Sequence, residues 1–328
     1  MSKRILSGVR PTRSRLHLGN YEGAVRRWVE LQNEYDVFCM VADWHVLTTQ
    51  AEDPQDIHQS SLEVTKDYIA AGLDPDKAVI FRQSDVKEHA ELALLLGMVV
   101  GVGKLERVPT YKEKVSELTG DKSASYGLLG YPVLQAADIL LYKPDGVPVG
   151  QDQAAHLELS REIARSFNSL YGQVFPEFKS LIPDQEHIRT LPGLDMRKMS
   201  KSYDNCIYLN SNPDDVAAQI KTAFTTPTKL KKTDPGIPEG CAVCQLLRVY
   251  SPNWEQQWDE DRRGERGCMQ SKKELTEILI EYLKPIWDRR ASLDDATVQD
   301  ILNRGADRAR EVASATMDEV RRAMKISL

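Results

Sequence analysis

The chain has 328 residues, of which 41% are hydrophobic and 28% are charged, and its formal net charge is −6. This length predicts two domains, or one large domain with an appendage. The composition excludes collagen-like, disordered and disulfide-scaffold proteins, and the longest apolar run, residues 92–103, is too short to span a membrane. Nucleic-acid binding through bulk charge is also excluded, whereas a local basic surface is not.

The N-terminus and the cysteines both indicate a cytoplasmic protein. Only Ile5 and Leu6 separate the first basic residues from Ser7-Gly8, which is too short an apolar stretch for a signal peptide. The five cysteines are an odd number and are scattered along the chain, as expected for free thiols in a reducing compartment.

The first half of the chain alternates short β-branched or apolar runs with helical patterns, which predicts an α/β fold with a parallel sheet. The predicted strands are residues 5–9, 37–42, 79–83 and 147–150. The predicted helices begin near residue 20 and cover 56–72, 88–103, 127–141 and a segment ending near 167, with a Lys/Glu-rich connection over 104–122.

From about residue 212 onward the pattern is helical throughout. Apolar residues recur at spacings of three and four within 275–286 and again within 312–324, which predicts two amphipathic helices. The change of pattern places a domain boundary near residues 195–215. We therefore expect a second, all-helical domain at the C-terminal end.

The segment His17-Leu18-Gly19-Asn20 is the first candidate for chemistry. It lies where a strand and a loop lead into a helix N-terminus, whose unpaired N–H groups and positive dipole end attract anions. Gly19 permits close approach of a ligand, and His17 and Asn20 can donate hydrogen bonds to phosphate. Taken alone, a loop histidine with a capping asparagine explains these residues equally well.

A second candidate is Lys198-Met199-Ser200-Lys201-Ser202, which has Gly193 upstream. Two lysines and two hydroxyls within five residues form a cationic loop suited to a polyphosphate. The two motifs, in this order and about 180 residues apart, resemble the signature pair of the class I aminoacyl-tRNA synthetases. Three other segments narrow the resemblance to the bacterial-type tryptophanyl-tRNA synthetases over essentially the whole chain: residues 8–12 (GVRPT), 131–138 (YPVLQAAD) and 150–156 (GQDQAAH).

The resemblance implies a Rossmann-like parallel-sheet catalytic domain at residues 1–204, with a helical insertion at about 84–145 and the KMSKS loop at 198–202. It implies a helical anticodon-binding domain at 205–328. ATP, brought as its Mg²⁺ complex, would be held by Gly8, Arg10, Pro11, Thr12, Gly19, Asn20, Gly150, Gln151, Asp152, Ile188, Lys198, Met199, Ser200, Lys201 and Ser202. The catalytic contacts would come from His17, Asn20, Lys112, Lys198, Ser200 and Lys201. Asn20 stands in place of the second histidine of the class signature, and Arg10 stands where glutamine is common.

The reaction implied is attack of an amino-acid carboxylate on the α-phosphorus of ATP, followed by acyl transfer to the terminal adenosine of tRNA. Such chemistry depends on positioning and charge stabilisation, so we expect no enzyme nucleophile, and we expect His17 to act as a hydrogen-bond donor.

The amino acid is indicated by the helix over 131–141, because Tyr131, Gln135 and Asp138 share one of its faces. A buried Asp138 carboxylate can accept the N–H of an indole or the O–H of a phenol. Leu6 favours tryptophan, since the tyrosyl relatives have a tyrosine at the end of strand one. By resemblance the tryptophan site comprises Leu6, His45, Tyr131, Gln135, Asp138, Val147, Val149 and Gln153, although His45 is also explained as a core histidine.

The expected partners are tRNA(Trp), L-tryptophan, ATP and a second copy of the chain, without DNA or a membrane. Three alternatives stay open: a tyrosyl-tRNA synthetase-like ligase, a nucleotidylyltransferase that does not use tRNA, and a catalytically reduced paralogue acting as a binding partner. Some relatives carry a four-cysteine iron–sulfur site, but Ser271 stands where its last ligand would be, so we expect no bound metal. Basic clusters at 229–232, 262–263 and 289–290 are candidates for RNA contacts or for solvated surface.

Overall fold

The computed structural model describes residues 3–12, 15–50, 56–116, 123–150, 153–181 and 191–327. Within these residues, five parallel strands form one sheet in the order β3-β2-β1-β4-β5. The strands are β1 (Arg4–Val9), β2 (Asp36–Val41), β3 (Val79–Arg82), β4 (Gly146–Pro148) and β5 (Lys179–Leu181). The four predicted strands are confirmed to within about two residues. The fifth, β5, is missed because its sequence, Lys-Ser-Leu, contains one apolar residue and no β-branched residue.

The strand order changes direction between β1 and β4, which lie side by side. In a parallel sheet of this kind the chain leaves the two central strands toward opposite faces, and a crevice opens at their carboxyl ends. Both faces of the sheet are covered: Ile5 packs into one apolar core and its neighbour Leu6 into the other. The sheet therefore offers ligands a crevice at the carboxyl ends of β1 and β4.

The helices of the first half surround this sheet. They are α1 (Leu18–Asn20), which continues through a π-helical turn (Tyr21–Val25) into α2 (Arg26–Leu31), and then α3 (Trp44–Gln50), α4 (Ile57–Ala70), α5 (Glu88–Gly97), α6 (Val102–Leu105), α7 (Pro109–Ser116), α8 (Tyr126–Leu141) and α9 (Ala154–Tyr171).

One predicted helix and one predicted connection differ from the structure in detail. The helix expected over 88–103 ends at Gly97 and restarts at Val102, because Gly101 has an extended backbone. The expected connection over 104–122 contains α7, whose first residue is Pro109. Proline is well tolerated in the first turn of a helix, where its missing N–H has no partner to lose.

The C-terminal part is helical, as predicted, with α10 (Pro213–Thr222), α11 (Ala242–Tyr250), α12 (Trp254–Arg262), α13 (Cys268–Ala291) and α14 (Asp295–Ala323). The last helix packs directly against the backbone of the edge strand β3, so it covers an otherwise unpaired sheet edge. Helix α13 joins α4 through an ion pair of 2.8 Å between Arg290 and Asp67. No helix among the described residues is both long and apolar enough to cross a membrane.

Replacement of Gly305 tests the contact between α14 and β3. A Cβ atom at Gly305 would lie 1.8 Å from the carbonyl oxygen of Ile80, so Gly305→Ala must push the helix away from the strand. We expect a loss of about 1–3 kcal/mol or more in the free energy of unfolding, measured by urea denaturation. Gly97→Ala is the matched control, because no atom lies near its added Cβ, and it should stay within about 1 kcal/mol of the parent. Equal stability of both variants would contradict this packing.

Candidate active site

Most of the residues singled out in the sequence lie near the carboxyl ends of the central strands. The loop after β1 carries Arg10, Pro11 and Thr12, while β2 leads to His45 and β4 to Val149 and Gly150. Because the carboxyl ends of parallel strands face the same way, these residues line one crevice.

The end of β1 is shaped by a close backbone approach. A Cβ atom at Gly8 would lie 2.6 Å from the carbonyl oxygen of Met40 in β2, so a larger residue does not fit there. The hydroxyl of Tyr68 accepts the N–H of Val9 at 3.1 Å and donates to that same Met40 carbonyl at 3.3 Å. The strand end below the loop is thus held firmly.

His17 caps the helix that follows this loop. Its Nδ1 accepts the backbone N–H of Asn20 at 3.3 Å, while Oδ1 of Asn20 accepts the backbone N–H of His17 at 3.2 Å. This reciprocal pair is a capping box, and it fixes the turn that contains Gly19. The expectation of a loop histidine with a capping asparagine is thus corrected: His17 is the N-cap of this helix and Asn20 is its third residue.

The protonation of His17 follows from its surroundings. Burial, together with the positive charges of Lys201 and Lys198, lowers the pKa of His17 to about 3. The ring is neutral at physiological pH, and because Nδ1 accepts a hydrogen bond its proton lies on Nε2. His17 can thus donate one hydrogen bond and is too weak a base to take up a proton.

The lysine-rich loop packs directly on this histidine turn, although about 180 residues separate them in sequence. The backbone N–H of Gly19 points at the sulfur of Met199 at 3.3 Å, and Met199 is almost fully buried. Nζ of Lys201 donates to the carbonyl oxygen of Thr12 at 2.5 Å and lies 3.3 Å from its hydroxyl. Lys201 thus lies against the loop that follows β1, and Lys198 is near enough for its charge to lower the pKa of His17.

Backbone pairing immediately after the lysine-rich loop holds the two motifs together. The N–H of Leu18 donates to the carbonyl of Ile207, and the N–H of Leu209 donates to the carbonyl of Leu16, both at 2.9 Å. His17 and Tyr208 face each other in this antiparallel pairing. The segment that follows the loop is therefore tied to the histidine turn by backbone hydrogen bonds.

Asn205 organises the lysine-rich loop itself, and the sequence analysis missed it. Its side chain is buried, accepts the N–H of Ser200 at 2.8 Å, and donates to the carbonyl of Lys198 at 3.2 Å and to Asp195 at 2.6 Å. A Cβ at Gly193 would lie 2.2 Å from Nδ2 of Asn205, which explains the glycine there. The only sequence signal was a polar residue at the loop's exit.

A buried carboxylate lies at the inner end of the crevice. Oδ2 of Asp138 on α8 is 2.8 Å from Nε2 of His45, and Oδ1 is 2.7 Å from both Nε2 of Gln83 and Nδ1 of His89. His89 in turn bonds the hydroxyl of Tyr142 at 2.8 Å. Sequence reasoning missed Gln83 and His89, because they come from two other elements.

The ionisation and the remaining capacity of Asp138 follow from these contacts. Burial alone would raise its pKa, but the hydrogen bonds from His45 and His89 outweigh burial and lower the pKa of Asp138 to about 2. A carboxylate offers about four acceptor positions, and three of them are taken by protein donors. The one remaining position, on Oδ2, can accept a single N–H or O–H.

The residues at the start of α8 form a separate polar cluster. The hydroxyl of Tyr131 contacts Thr110 Oγ1 and lies 2.9 Å from Nε2 of His156, which is also 2.9 Å from Thr110. This cluster holds the first turn of α7, where Lys112 is exposed two residues later. Tyr131 and Asp138 lie on one helix as predicted, and each is anchored by different partners.

The other predicted site residues are distributed around the crevice. Leu6 and Val147 are buried in neighbouring strands, whereas Gln135, Val149 and Gln153 are half-buried. Gln151, Asp152 and Ile188 lie outside the described residues, as does the side chain of Ser202.

The cysteines and three residues of the basic clusters have structural surroundings of their own. All five cysteines are free thiols, and the described part of the chain contains no group of three or more His, Cys, Asp or Glu residues arranged to hold a metal ion. Lys229 is buried against Asp261 at 3.2 Å, while Arg289 and Arg290 bond groups of α4. Lys229 therefore joins a loop to α12, and the two arginines join α13 to α4.

A family profile and individual relatives both match nearly the whole length of this sequence. The sequence profile of the family described as "tRNA synthetases class I (W and Y)" matches residues 2–284. The tryptophan–tRNA ligase of Thermotoga maritima is 46% identical, over 98% of this chain and 99% of that protein. The tryptophan–tRNA ligase of Aquifex aeolicus is 39% identical, over 98% of this chain and 100% of that protein.

Solved structures agree with the sequence matches. The crystal structure of the tryptophanyl-tRNA synthetase of Campylobacter jejuni, complexed with ADP and tryptophan, is 33% identical and has a TM-score of 0.86. This match covers 98% of this chain and 99% of the Campylobacter jejuni chain. The synthetase of Mycoplasma pneumoniae is 28% identical with a TM-score of 0.83, over 100% of this chain and 99% of that one.

Removal of the His89 donor tests the environment of the carboxylate. In His89→Leu, Asp138 loses one of its three donors, so its pKa should rise from about 2. Tyr142→Phe keeps the imidazole and removes only the hydroxyl behind it, so it should produce a smaller rise. NMR titration of the Asp138 carboxyl carbon measures both variants. An unchanged pKa in His89→Leu would show that this hydrogen bond does not stabilise the carboxylate.

Proposed function

The chain belongs to the class I tRNA synthetases of the tryptophan and tyrosine family, and from this premise we propose how its residues carry out the reaction of an ATP-dependent tryptophan–tRNA ligase. The observation that carries the mechanism is the contact between the histidine turn and the lysine-rich loop. These two elements form one cationic wall beside the carboxyl ends of β1 and β4. The Asp138 carboxylate forms the other end of the same crevice.

In the first step the carboxylate of tryptophan attacks the α-phosphorus of ATP, which enters as its Mg²⁺ complex. The bond between the α-phosphorus and the bridging oxygen breaks, and pyrophosphate leaves with the electron pair. Lys198 and Lys201 neutralise the charge that develops on this leaving group, while Nε2–H of His17 and the side-chain amide of Asn20 donate hydrogen bonds to phosphate oxygens. No side chain forms a covalent bond.

In the second step the terminal 2′-hydroxyl of tRNA attacks the carbonyl of the adenylate, and AMP leaves. By family likeness, Gly8, Arg10, Pro11, Thr12 and Lys112 complete the ATP site, and Gly150 faces the ribose. We assign the same family roles to Gln151, Asp152 and Ile188, which lie outside the described residues. We also place the protein in the cytoplasm, where tRNA is charged.

Tryptophan is selected by the acceptor that remains on Asp138. Three protein donors already occupy this carboxylate, so it suits a substrate that brings one donor on a flat apolar ring. Leu6 and Val147 supply apolar walls, His45 orients the carboxylate, and Tyr131, Gln135, Val149 and Gln153 complete the pocket. A phenol would find no hydrogen-bonding partner at Leu6.

The remaining expected partners are tRNA(Trp) and a second copy of the chain. We propose that residues 205–328 bind the anticodon arm of tRNA(Trp), and that residues 1–204, with their insertion at about 84–145, hold the catalytic site. Large apolar side chains are exposed on α5 and α6 and between them, where Leu94 is 58%, Met98 68% and Val102 56% accessible. Such a cluster is suited to a homodimer contact with a second copy of the chain.

Isotope exchange between pyrophosphate and ATP tests the function. Exchange should depend on tryptophan and should be at least about 100-fold slower with tyrosine or without an amino acid, because a site built to pair one buried donor rejects a poor match. Charging of tRNA with tryptophan then separates a ligase from a nucleotidylyltransferase. Exchange stimulated by tyrosine alone would overturn the specificity, and absence of all exchange would favour a binding protein.

A second prediction concerns the loop-organising residue. Asn205→Ala removes the acceptor of the Ser200 N–H and the donor to Lys198, so the two lysines lose their fixed position. We expect kcat for exchange to fall roughly 5- to 100-fold, with little change in KM for tryptophan. Asn253→Ala, an exposed asparagine at the start of α12, is the control and should leave exchange unchanged. A normal kcat in Asn205→Ala would show that the loop does not need this anchor.

A further inference from the structure

A buried carboxylate lies two residues after the histidine turn and is not among the predicted site residues. Glu22 lies in the first turn of the π-helical segment Tyr21–Val25, and 0% of its side-chain surface is accessible. An ionisable carboxylate is seldom fully buried unless it is paired. π-helical turns are rare and often occur at functional sites. The position of Glu22 therefore indicates a role connected with the histidine turn.

Glu22 bonds one partner within its own helical run and one partner far away in the sequence. Its Oε2 accepts an N–H of Arg26 at 3.1 Å, four residues further on, and Arg26 is half-exposed. Its Oε1 accepts the O–H of Tyr282 on α13 at 2.6 Å. A hydrogen bond to a charged acceptor is shorter and roughly twice as strong as a neutral one. The bond from Tyr282 thus ties the π-helical segment to a helix of the C-terminal part.

The donor side of this bond is held in place by aromatic packing. The ring of Tyr282 meets the ring of Tyr250 edge to face, with centroids 5.0 Å apart, and meets the ring of Tyr21 at 6.3 Å. Burial and the negative charge of Glu22 raise the pKa of Tyr282 and that of Tyr250. Both phenols therefore keep their protons at physiological pH, and Tyr282 remains a donor to the carboxylate.

The histidine turn depends on such an external contact for its place in the crevice. The hydrogen bonds between His17 and Asn20 fix the internal shape of the turn, but not its position relative to a ligand. One residue separates Asn20 from Glu22 in a continuous helical run, so a shift of Glu22 moves the turn as well. A displacement of about 1 Å in a group that stabilises a transition state can cost roughly 100-fold in rate.

The other flank of the turn is tied to the same helix. The N–H of Leu16 donates to Asp67 at 2.9 Å, and Arg290 of α13 donates to Asp67 at 2.8 Å. Tyr282 and Arg290 both belong to α13 and lie about 12 Å apart along its axis. Contacts on both sides of the histidine turn therefore end on one helix.

We propose that Glu22 is a positioning residue for adenylate formation: held to α13 by Tyr282, it places the hydrogen-bond donors of His17 and Asn20 against the phosphates of ATP. The inference rests on the proposed function, which supplies the reaction with ATP. Glu22 acts through the turn, so loss of its bond to Tyr282 slows the step in which pyrophosphate leaves. The other end of the crevice, at Asp138, is held by different partners, so tryptophan binding is unaffected.

Tyr282→Phe tests this contact, because it removes the O–H donor and keeps the packed ring. We expect kcat for tryptophan-dependent pyrophosphate exchange to fall roughly 5- to 100-fold, with KM for tryptophan within about twofold of the parent. Tyr171→Phe is the matched control and should exchange normally, since it removes the hydroxyl of a half-buried ring that packs on Phe167 in α9. Urea denaturation of both variants shows that kcat is compared on folded protein. A normal kcat in folded Tyr282→Phe would overturn the proposal.

Variants of Glu22 separate positioning from a general loss of packing. Glu22→Gln keeps an acceptor oxygen for Tyr282, so its kcat should stay within about threefold of the parent, whereas Glu22→Leu should fall as far as Tyr282→Phe. The double variant of Glu22→Leu and Tyr282→Phe should be within about twofold of either single variant, because all three lack the same bond. Additive losses, or an equally low kcat in Glu22→Gln and Tyr282→Phe, would overturn the proposal. Should Glu22→Leu fail to fold, the comparison of Glu22→Gln with Tyr282→Phe decides. A parent protein without tryptophan-dependent exchange would instead refute the proposed function.

Discussion

The antiparallel backbone pairing between residues 16–18 and 207–209 is the constraint on which the rest of the site depends. Two short motifs far apart in sequence can act on one ligand only if something fixes their separation. Here the pairing of Leu18 with Ile207 and of Leu209 with Leu16 does so with backbone hydrogen bonds that do not depend on side-chain chemistry. The thioether of Met199 then fills the space over Gly19.

The same region is tied to the C-terminal helices by a second set of contacts. Asp67 on α4 accepts the N–H of Leu16 and pairs with Arg290 on α13. Tyr282 on α13 donates to the buried Glu22 at 2.6 Å, within the π-helical turn that follows the histidine turn. These contacts link the segments that flank the histidine turn to α13, so a displacement of that helix would be transmitted to the turn.

The sequence predicted the features that local pattern and motif chemistry determine. The pairing of the two motifs was expected from the resemblance to the class I synthetases. Strands β1 to β4 and the helical C-terminal part required only periodicity and residue types. Tyr131 and Asp138 were placed on one helix for the same reason. Asp138 by itself predicted only an acceptor for one N–H or O–H, and the preference for an indole came from Leu6.

What the sequence did not predict depends on contacts between distant segments. Gln83 and His89 look ordinary in their own elements, and their role appears only when the turn after β3 and helix α5 pack against Asp138 on α8. Asn205 likewise follows the lysine-rich loop without any motif to mark it. The basic pair Arg289 and Arg290 was a candidate for RNA contacts or for solvated surface. In the structure both side chains instead bond groups of α4.

The most direct measurement is a crystal structure of the protein with tryptophan and a non-hydrolysable ATP analogue. The account predicts phosphate oxygens within about 3.5 Å of both His17 Nε2 and a lysine of the 198–202 loop, with the indole nitrogen at hydrogen-bond distance from Oδ2 of Asp138. A triphosphate that touches only one of the two motifs, or an indole nitrogen turned away from that carboxylate, would contradict it.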